Sequence, residues 1–236
     1  MAAARLDIET VAAHVGVDPK TVQRWLMGRV PHARHRWILV DLLGEQEELL
    51  WPDRGSATGG APHTAEIVAA WAHRADAPLA LWSRLLQRAS SQIDLLGYAI
   101  LFLPEQHPDL SDLLAERCAA GLKVRVALAD PTSAEVARRD ELEGLGSTLP
   151  ARIRTTVQLL AEVRDVVGVE LRYHSIPLYN AIYRFDEQML VTPYLVGAHG
   201  FQHPLLHLRR RSATGIFQAF ADQFEAIWAG TAPCLD

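Results

Sequence analysis

The sequence has little of three features that define large classes of protein: cysteine, long apolar runs and an excess of one charge. Cys118 and Cys234 are the only cysteines among its 236 residues. Two cysteines are too few for the disulfide framework of a small secreted domain, and Cys118 falls in a segment of helical pattern. The chain is therefore predicted to work in a reducing cytoplasm.

No apolar run approaches the roughly 20 residues that a membrane-spanning helix needs. Charges at Arg5, Asp7 and Glu9 interrupt any signal-peptide core at the amino end. The hydrophobic fraction of 49% and the charged fraction of 22% are those of a globular protein. Neither a phosphate-cradling glycine loop nor a Gly-x-Ser-x-Gly elbow occurs. We expect no membrane partner and no cofactor.

Charge is unevenly distributed along the chain. The net charge is −5 and the pI is about 6.1, which argues against indiscriminate coating of nucleic acid. Residues 1–40 nevertheless carry six Lys/Arg against three Asp/Glu, whereas the remaining 196 residues carry 17 against 25. No acidic residue occurs between Lys20 and Val40. A local cationic segment on an acidic protein is what phosphate contacts require.

A helix–turn–helix pattern overlaps this cationic segment. Val11 and Val15 lie on one apolar face of the first predicted helix. Gly16 follows where a tight interhelical turn needs a positive φ. Asp18 is a good N-cap for the second helix, and Pro19 suits its first position. The pattern predicts two short helices that cross closely.

The outward face of the second helix is the candidate DNA-reading surface. Val22 and Trp25 lie on the buried side, and Gly28 can end the helix. Long or hydroxylated side chains that can reach base edges point outward: Lys20, Thr21, Gln23 and Arg24. The following basic loop supplies candidate phosphate contacts: Arg29, His32, Arg34 and Arg36. An ordinary solvated helical hairpin is the alternative interpretation.

This segment resembles the helix-turn-helix of the phage-repressor (XRE-like) family over roughly the first fifty residues. The matching positions are Ala12, Gly16, Val22, Trp25 and Gly28. The resemblance implies that the second helix contacts bases of double-stranded DNA. The family normally has a complete helix before this pair, whereas only residues 1–7 precede it here.

A Gly-, Ser- and Pro-rich linker at residues 53–62 separates a helix-turn-helix domain at 1–52 from a larger domain at 63–236. Apolar periodicity predicts helices at residues 37–50, 64–74, 79–89, 110–120, 133–143, 151–167 and 215–229. Strands are predicted at residues 93–103, 123–128, 169–173, 181–185, 189–191 and 204–208. Strand, helix and strand within about forty residues form a βαβ unit, whose strands are parallel. The expected fold class is α/β with a small all-α N-terminal domain.

The larger domain resembles the phospholipase D-like fold, in particular a variant fused behind helix-turn-helix domains in actinobacterial regulators. The resemblance covers residues 78–228 and is most specific at 178–191, LYNAIYRFDEQMLV. When Asp186 is aligned with the motif aspartate, Tyr179 and Ala181 stand where active members carry the catalytic histidine and lysine. The resemblance therefore implies a non-catalytic relative, because the nucleophile and the phosphate clamp are missing. His174 is either a substitute nucleophile or a core or surface histidine.

A ligand pocket is still expected beyond the carboxyl ends of the parallel strands. The candidate lining residues are Tyr98, Asp130, His174, Tyr179, Asn180, Arg184 and Asp186. Each has a structural alternative, since Asp130 suits a turn, Arg184 and Asp186 can pair, and the tyrosines suit a core. No metal site is expected, because proline and glycine argue against a helix that would stack three histidines: His199, His203 and His207.

Two functions fit these patterns. The first is a sequence-specific transcriptional regulator whose larger domain forms a homodimer, since one helix-turn-helix covers only a half-site. The apolar final helix is a candidate dimer interface or else core, and a small-molecule effector is a candidate partner. The alternative is a phosphodiesterase or nuclease with an atypical active site. We favour the regulator and expect no enzyme activity, because Tyr179 and Ala181 replace the required histidine and lysine.

Overall fold

The computed structural model describes residues 7–43, Leu50 and residues 66–234. The chain divides into two compact units, Met1–Pro62 and His63–Asp236. The linker predicted at residues 53–62 lies outside the described residues, as do residues 44–49 of the helix predicted at 37–50.

Local capping signals account for the helices of the first unit. These helices are α1 (Ile8–Val15), α2 (Pro19–Leu26) and α3 (Ala33–Leu43). The Asp7 carboxylate accepts a hydrogen bond from the Thr10 N–H at 2.7 Å, and the Asp18 carboxylate accepts one from the Lys20 N–H at 2.8 Å. Each carboxylate satisfies a backbone donor that the helix itself leaves unpaired. The third helix begins four residues before the predicted start at residue 37.

A small apolar core joins these helices. Its buried members come from all of the named helices: Val11, Ala12, Val15, Val22 and Leu39. Ile8, Val17 and Trp25 pack against it. The apolar spacing in the sequence therefore selects the face on which α1 and α2 meet.

The described residues of the second unit form an eight-stranded sheet with helices packed against it. The strands are β1 (Ile67–Trp71), β2 (Gln92–Gly97), β3 (Lys123–Ala129), β4 (Val169–His174), β5 (Asn180–Phe185), β6 (Gln188–Pro193), β7 (Leu205–Arg209) and β8 (Ala232–Pro233). The helices are α4 (Leu79–Arg88), α5 (Phe102–Gln106), α6 (Leu110–Ala119), α7 (Ala134–Leu142), α8 (Leu149–Leu159), α9 (Ala161–Arg164) and α10 (Ile216–Trp228). The expected α/β fold class is confirmed for this mixed architecture.

Strand direction decides which loops meet. The strand order is β1-β7-β6-β5-β2-β3-β4-β8. β2 and β3 are parallel, as the βαβ pattern predicts, and β4 is also parallel to β3. The other neighbouring strands are antiparallel. β1 and β6 therefore run in the same direction as β2. The carboxyl ends of these five strands share one side of the sheet, which we call the carboxyl edge.

The prediction of a helix at residues 64–74 is wrong. Ile67–Trp71 is instead the edge strand β1, paired antiparallel with β7. An apolar run of five residues has no period that separates a strand from a helix, so the partner strand decides. A short 3₁₀ turn, Arg74–Asp76, follows β1.

Two other predicted elements are too long. The strand predicted at residues 93–103 ends at Gly97, and Ile100, with a φ of 55°, turns the chain into α5. A Cβ atom on Gly97 would lie 3.0 Å from Ile100 Cγ1, so the turn packs closely against this residue. The helix predicted at residues 151–167 is divided into α8 and α9.

The apolar face of α10 belongs to the core. Phe217, Ala221 and Phe224 are buried, and Glu66 binds the amino end of the helix by accepting a hydrogen bond from the Phe217 N–H at 3.0 Å. Of the two interpretations of this helix, core is therefore correct, and the face is not available to a partner. Among the described residues, no helix is both long and apolar enough to cross a lipid bilayer.

Candidate functional site

The first two turns of α2 present polar side chains away from the core. Lys20, Gln23 and Arg24 are exposed and Thr21 is half-buried, whereas Val22 between them is only 2% exposed. A helix that buries one side in this way holds its opposite side at a fixed orientation. The face combines an ammonium, an amide, a hydroxyl and a guanidinium group, all of which pair with base edges in a major groove.

Gly16 sets the angle between α1 and α2. Its φ is 74°, and its N–H donates to the Ala12 carbonyl at 2.9 Å. The Val17 N–H donates to the same carbonyl at 3.0 Å. A Cβ atom on Gly16 would meet nothing within 4 Å, so only the backbone conformation requires glycine here.

The basic residues after α2 fall into two groups, and the structure places Arg34 and Arg36 in the first turn of α3 rather than in a loop. Arg29, His32 and Arg34 are exposed, as a phosphate contact requires. Arg36 is half-buried, and its Nη1 donates to the Pro31 carbonyl at 3.0 Å, so this side chain orders the loop. The structure therefore separates Arg36 from the other candidate phosphate residues.

His35 supports the exposed Arg34. The Arg34 Nε donates to His35 Nε2 at 3.0 Å, and the His35 ring lies 5.6 Å from the Trp25 ring. Burial, followed by the charges of Arg34 and His32, lowers the pKa of His35 below its ordinary value. A neutral imidazole can accept the guanidinium hydrogen bond, whereas an imidazolium could not.

In the second unit, some of the predicted pocket residues do come together at the carboxyl edge. The Tyr98 and His174 rings lie 6.2 Å apart, and Tyr98 Oη accepts a hydrogen bond from the Leu178 N–H at 3.1 Å. Tyr179 is 77% exposed and borders a cavity of about 220 Å³ together with Tyr98. Asn180 begins β5 beside Tyr179, and its side chain is buried.

Two predicted pocket residues, Arg184 and Asp186, lie at the opposite side of the sheet. Because β5 is antiparallel to β2, residues later in β5 approach the amino end of β2, and Arg184 pairs with Asp94 there. The Asp186 carboxylate accepts hydrogen bonds from the N–H groups of residues 90–92 at 2.8–2.9 Å. Asp186 is therefore a structural residue, and its grouping with Tyr98 is wrong.

Asp130 acts as a turn residue, which is the alternative to a ligand contact that the sequence suggests for it. Its Oδ1 accepts hydrogen bonds from the Thr132 N–H at 2.8 Å and from Thr132 Oγ1 at 2.7 Å. Asp130 also borders a cavity of about 760 Å³ with Tyr173. That cavity is distinct from the one beside Tyr98 and Tyr179, so the structure does not collect the predicted lining into one site.

His174 is a buried histidine at the end of β4. It is 2% exposed, its Nε2 lies 3.4 Å from the Gly97 carbonyl oxygen, and its Nδ1 has no hydrogen-bond partner among the described residues. Burial lowers the pKa of His174 below its ordinary value. A neutral imidazole enclosed in this way is shielded from solvent-borne substrates.

Two of the three histidines at four-residue spacing, His203 and His207, have separate hydrogen-bond partners. His203 Nδ1 accepts a hydrogen bond from the Leu195 N–H at 3.1 Å, and His207 Nε2 lies 3.0 Å from Gln188 Oε1. His207 is in β7 and His203 precedes that strand, so no helix stacks their rings.

The carboxyl-terminal unit matches a known family. The family described as "Domain of unknown function (DUF5919)" matches residues 63–234. The chain belongs to the DUF5919 family. The comparison with curated proteins gives no match.

Among solved structures, the chain is similar to TrmBL2, described as an archaeal chromatin protein whose structure shows a novel mode of DNA binding. The two share 14% identity with a TM-score of 0.45, over 91% of this chain and 66% of TrmBL2. The chain therefore spans less than two thirds of the length of TrmBL2. This similarity is too remote to assign a fold or a function.

Sequence reasoning misses Arg139, a cation of the DUF5919 domain that contacts two tyrosine rings and a carboxylate. Its guanidinium carbon lies 4.4 Å from the centre of the Tyr194 ring and 5.3 Å from that of Tyr98, and it forms an ion pair with Glu143. Burial, then the nearby Arg139 charge, lowers the pKa of His203 to about 4. No spacing in the sequence marks this cluster, because its members come from α7 and from the loops beside β2 and β6.

Proposed function

We propose that this protein is a cytoplasmic, sequence-specific DNA-binding transcriptional regulator. The observation that carries the proposal is the outward face of α2, where Lys20, Gln23 and Arg24 are exposed beside the half-buried Thr21. These residues would contact base edges, and Arg29, His32 and Arg34 would contact phosphates. Arg36 would hold the loop in place for them.

The crossing of α1 and α2 at a left-handed glycine supports an XRE-like helix-turn-helix. The buried Ala12 and Val22 and the partly buried Trp25 occupy the positions that this family resemblance implies. An ordinary helical hairpin needs the same core, but it does not need an acid-free outer face followed by a basic loop.

We further propose that the DUF5919 domain is a non-catalytic phospholipase D-like domain that dimerises and binds a small-molecule effector. Tyr179 is exposed and Ala181 is buried at the positions aligned with the catalytic histidine and lysine. His174 is enclosed, which argues against its use as a substitute nucleophile. Dimerisation would place two recognition helices on two half-sites.

Sequence-specific DNA binding is tested by selection from a randomised duplex library, followed by fluorescence anisotropy with the full chain. Arg24→Ala is expected to weaken binding to the selected site by about 1–3 kcal/mol and to relax one base position. Arg34→Ala should weaken binding to all sequences alike and reduce the salt dependence. Arg88→Ala removes a charge that is also exposed, on α4, and is the matched control, with no expected effect.

The proposal fails if the selection enriches no sequence at moderate salt. Equal losses on selected and random DNA for Arg24→Ala would make this residue a phosphate contact and leave the base-reading assignment wrong. Light scattering of the same samples measures the dimer. A phosphodiester hydrolysis assay with a His174→Ala control tests the non-catalytic assignment, and turnover abolished in that variant would contradict it.

A further inference from the structure

A cleft lies at the carboxyl edge of the DUF5919 domain, away from the residues that sequence reasoning selects. Its volume is about 540 Å³, within the range of small-molecule sites. Arg74 reaches it from the turn after β1, Phe102 from the start of α5, Arg152 from α8 and Phe201 from the loop after β6. Loops from the carboxyl ends of separate strands therefore build one cavity, which we call the arginine cleft.

The arginine cleft is positively charged. Arg152 is exposed, and its guanidinium makes no ion pair or hydrogen bond with the residues that the structure describes. Arg74 Nε donates to the Gly200 carbonyl at 3.1 Å, and its guanidinium carbon lies 3.7 Å from the centre of the Phe102 ring. No carboxylate is among the described residues that line the cleft. Two guanidinium groups without an acidic partner attract an anion.

An unsatisfied hydroxyl lies at the inner end of the arginine cleft. A smaller cavity of about 90 Å³ shares Arg74 and Arg152 with the cleft and extends to Thr192. Glu143 also lines this smaller cavity, and its carboxylate is paired with Arg139. Thr192 is 1% exposed, and its Oγ1 has no hydrogen-bond partner among the described residues. Buried polar atoms are almost always hydrogen-bonded, so Thr192 Oγ1 is available to pair with a polar atom that enters the cavity.

Apolar groups also line the arginine cleft. Phe201 is 54% exposed and Leu79 is 49% exposed, while the face of the Phe102 ring lies beneath the Arg74 guanidinium. Half-exposed apolar side chains around a cation-bearing cavity provide contact area for the body of an organic ligand.

We propose that the arginine cleft binds an organic anion, with a carboxylate or phosphate group held by Arg74 and Arg152. The apolar body contacts Phe201 and Leu79, and a polar atom of the ligand pairs with Thr192 Oγ1. Only the role of this ligand as an effector of the regulator rests on the proposed function. Binding itself depends on the cleft alone.

Ligand-observed NMR and thermal shift on the full chain test the inference with benzoate and phenyl phosphate as probes. Benzamide is the neutral counterpart with the same ring. Both anions are expected to bind, each about tenfold or more tightly than benzamide, because a charge-assisted hydrogen bond is lost in the amide. The two anions distinguish a carboxylate preference from a phosphate preference.

Arg152→Gln is expected to weaken binding of the preferred anion about tenfold. Because Arg152 is exposed, its replacement preserves the fold. Arg154→Gln is the matched control, since Arg154 is also exposed on α8 but borders the cavity beside Asp130 instead. Thr192→Val should preserve or raise the thermal stability of the free protein while weakening anion binding, two changes of opposite sign that a merely structural role would not produce.

Equal binding of benzoate, phenyl phosphate and benzamide, or no binding of either anion, would overturn the inference. So would an Arg152→Gln variant that binds as the wild type does, or an equal loss in Arg154→Gln. None of these measurements contains DNA. A failure of DNA reading by α2 would leave anion binding intact, and a failure of the cleft would leave the DNA titrations intact.

Discussion

Replacing Asp186 by alanine is expected to reduce the free energy of unfolding of the DUF5919 domain by about 2–4 kcal/mol. The carboxylate accepts hydrogen bonds from the N–H groups of Ser90, Ser91 and Gln92 at 2.9, 2.9 and 2.8 Å. A hydrogen bond to a charged group contributes about 1.5–3 kcal/mol, but these groups are partly exposed and water replaces much of the loss. The φ of 52° adds strain for alanine, which disfavours the left-handed region by about 1–2 kcal/mol.

A graded series separates the two contributions. Asp186→Asn retains one acceptor oxygen and tolerates a positive φ, so its loss should be the smallest, about 1–2 kcal/mol. Asp186→Gly relieves the backbone but removes every acceptor, and should fall between Asn and Ala. Glu187→Ala changes an exposed carboxylate in the same turn and is the control, with an effect within about 0.5 kcal/mol.

The contribution of Asp186 should also depend on pH. Burial acts to raise the pKa of Asp186, but hydrogen bonds from the N–H groups of Ser90, Gln92 and Ser91 bring it below its ordinary value. A carboxyl group whose pKa is lower in the folded state stabilises fully above its unfolded pKa, about 4. That stability is lost as the pH falls through the folded pKa. The difference between wild type and Asp186→Asn should therefore shrink in acid.

Urea unfolding of the full chain at a series of pH values measures these differences, with near-ultraviolet circular dichroism as the signal. Amide hydrogen exchange at residues 90–92 gives an independent local readout. An Asp186→Ala variant as stable as the wild type at neutral pH would refute the structural role. A stability difference that widens in acid would refute the assigned direction of the pKa shift.

Three further substitutions test other parts of the fold. Gly16→Ala should destabilise the helix-turn-helix unit by about 1–2 kcal/mol in thermal unfolding, because its φ is 74°, and Gly16→Asn should lose less. Gly215→Ala should destabilise the DUF5919 domain by about 1–3 kcal/mol in urea, since its Cβ would lie 2.1 Å from the Glu66 carboxylate oxygens. Arg125→Met should destabilise the domain by about 1.5–3 kcal/mol, because the buried Asp94 loses its 2.7 Å partner and keeps only Arg184 at 3.7 Å and Gln92. Burial already raises the pKa of Asp94, so that deficit should shrink as a pH titration of stability moves into acid.

Elements with strong local signals are predictable from the sequence alone. Asp7 and Asp18 cap α1 and α2, and Gly16 adopts the left-handed conformation that the turn requires. The βαβ pattern predicts the parallel pairing of β2 with β3, and the strands predicted at residues 181–185 and 189–191 are present as β5 and β6. Each of these depends on residues close together in the chain, where one side chain or one period decides the conformation.

The sites are less predictable than the elements. Asp186 and Tyr98 are both polar residues near the ends of buried strands, but the antiparallel entry of β5 places them on opposite sides of the sheet. No sequence motif contains Arg74 or Arg152. Arg74 also falls in a segment that is predicted to be a helix but forms a strand and a turn in the structure. Their proximity arises only because β1 pairs with β7 and so delivers Arg74 to the carboxyl edge.

By itself, the sequence determines the pair of short helices with its acid-free outer face, and the α/β character of the remainder, because capping, periodicity and local charge act over a few residues. Tertiary structure alone decides that α10 is core, that Asp186 secures a turn, and that Arg74 and Arg152 share a cleft. These outcomes depend on strand order and direction, which arise from contacts between residues about a hundred positions apart, such as Asp186 with Gln92.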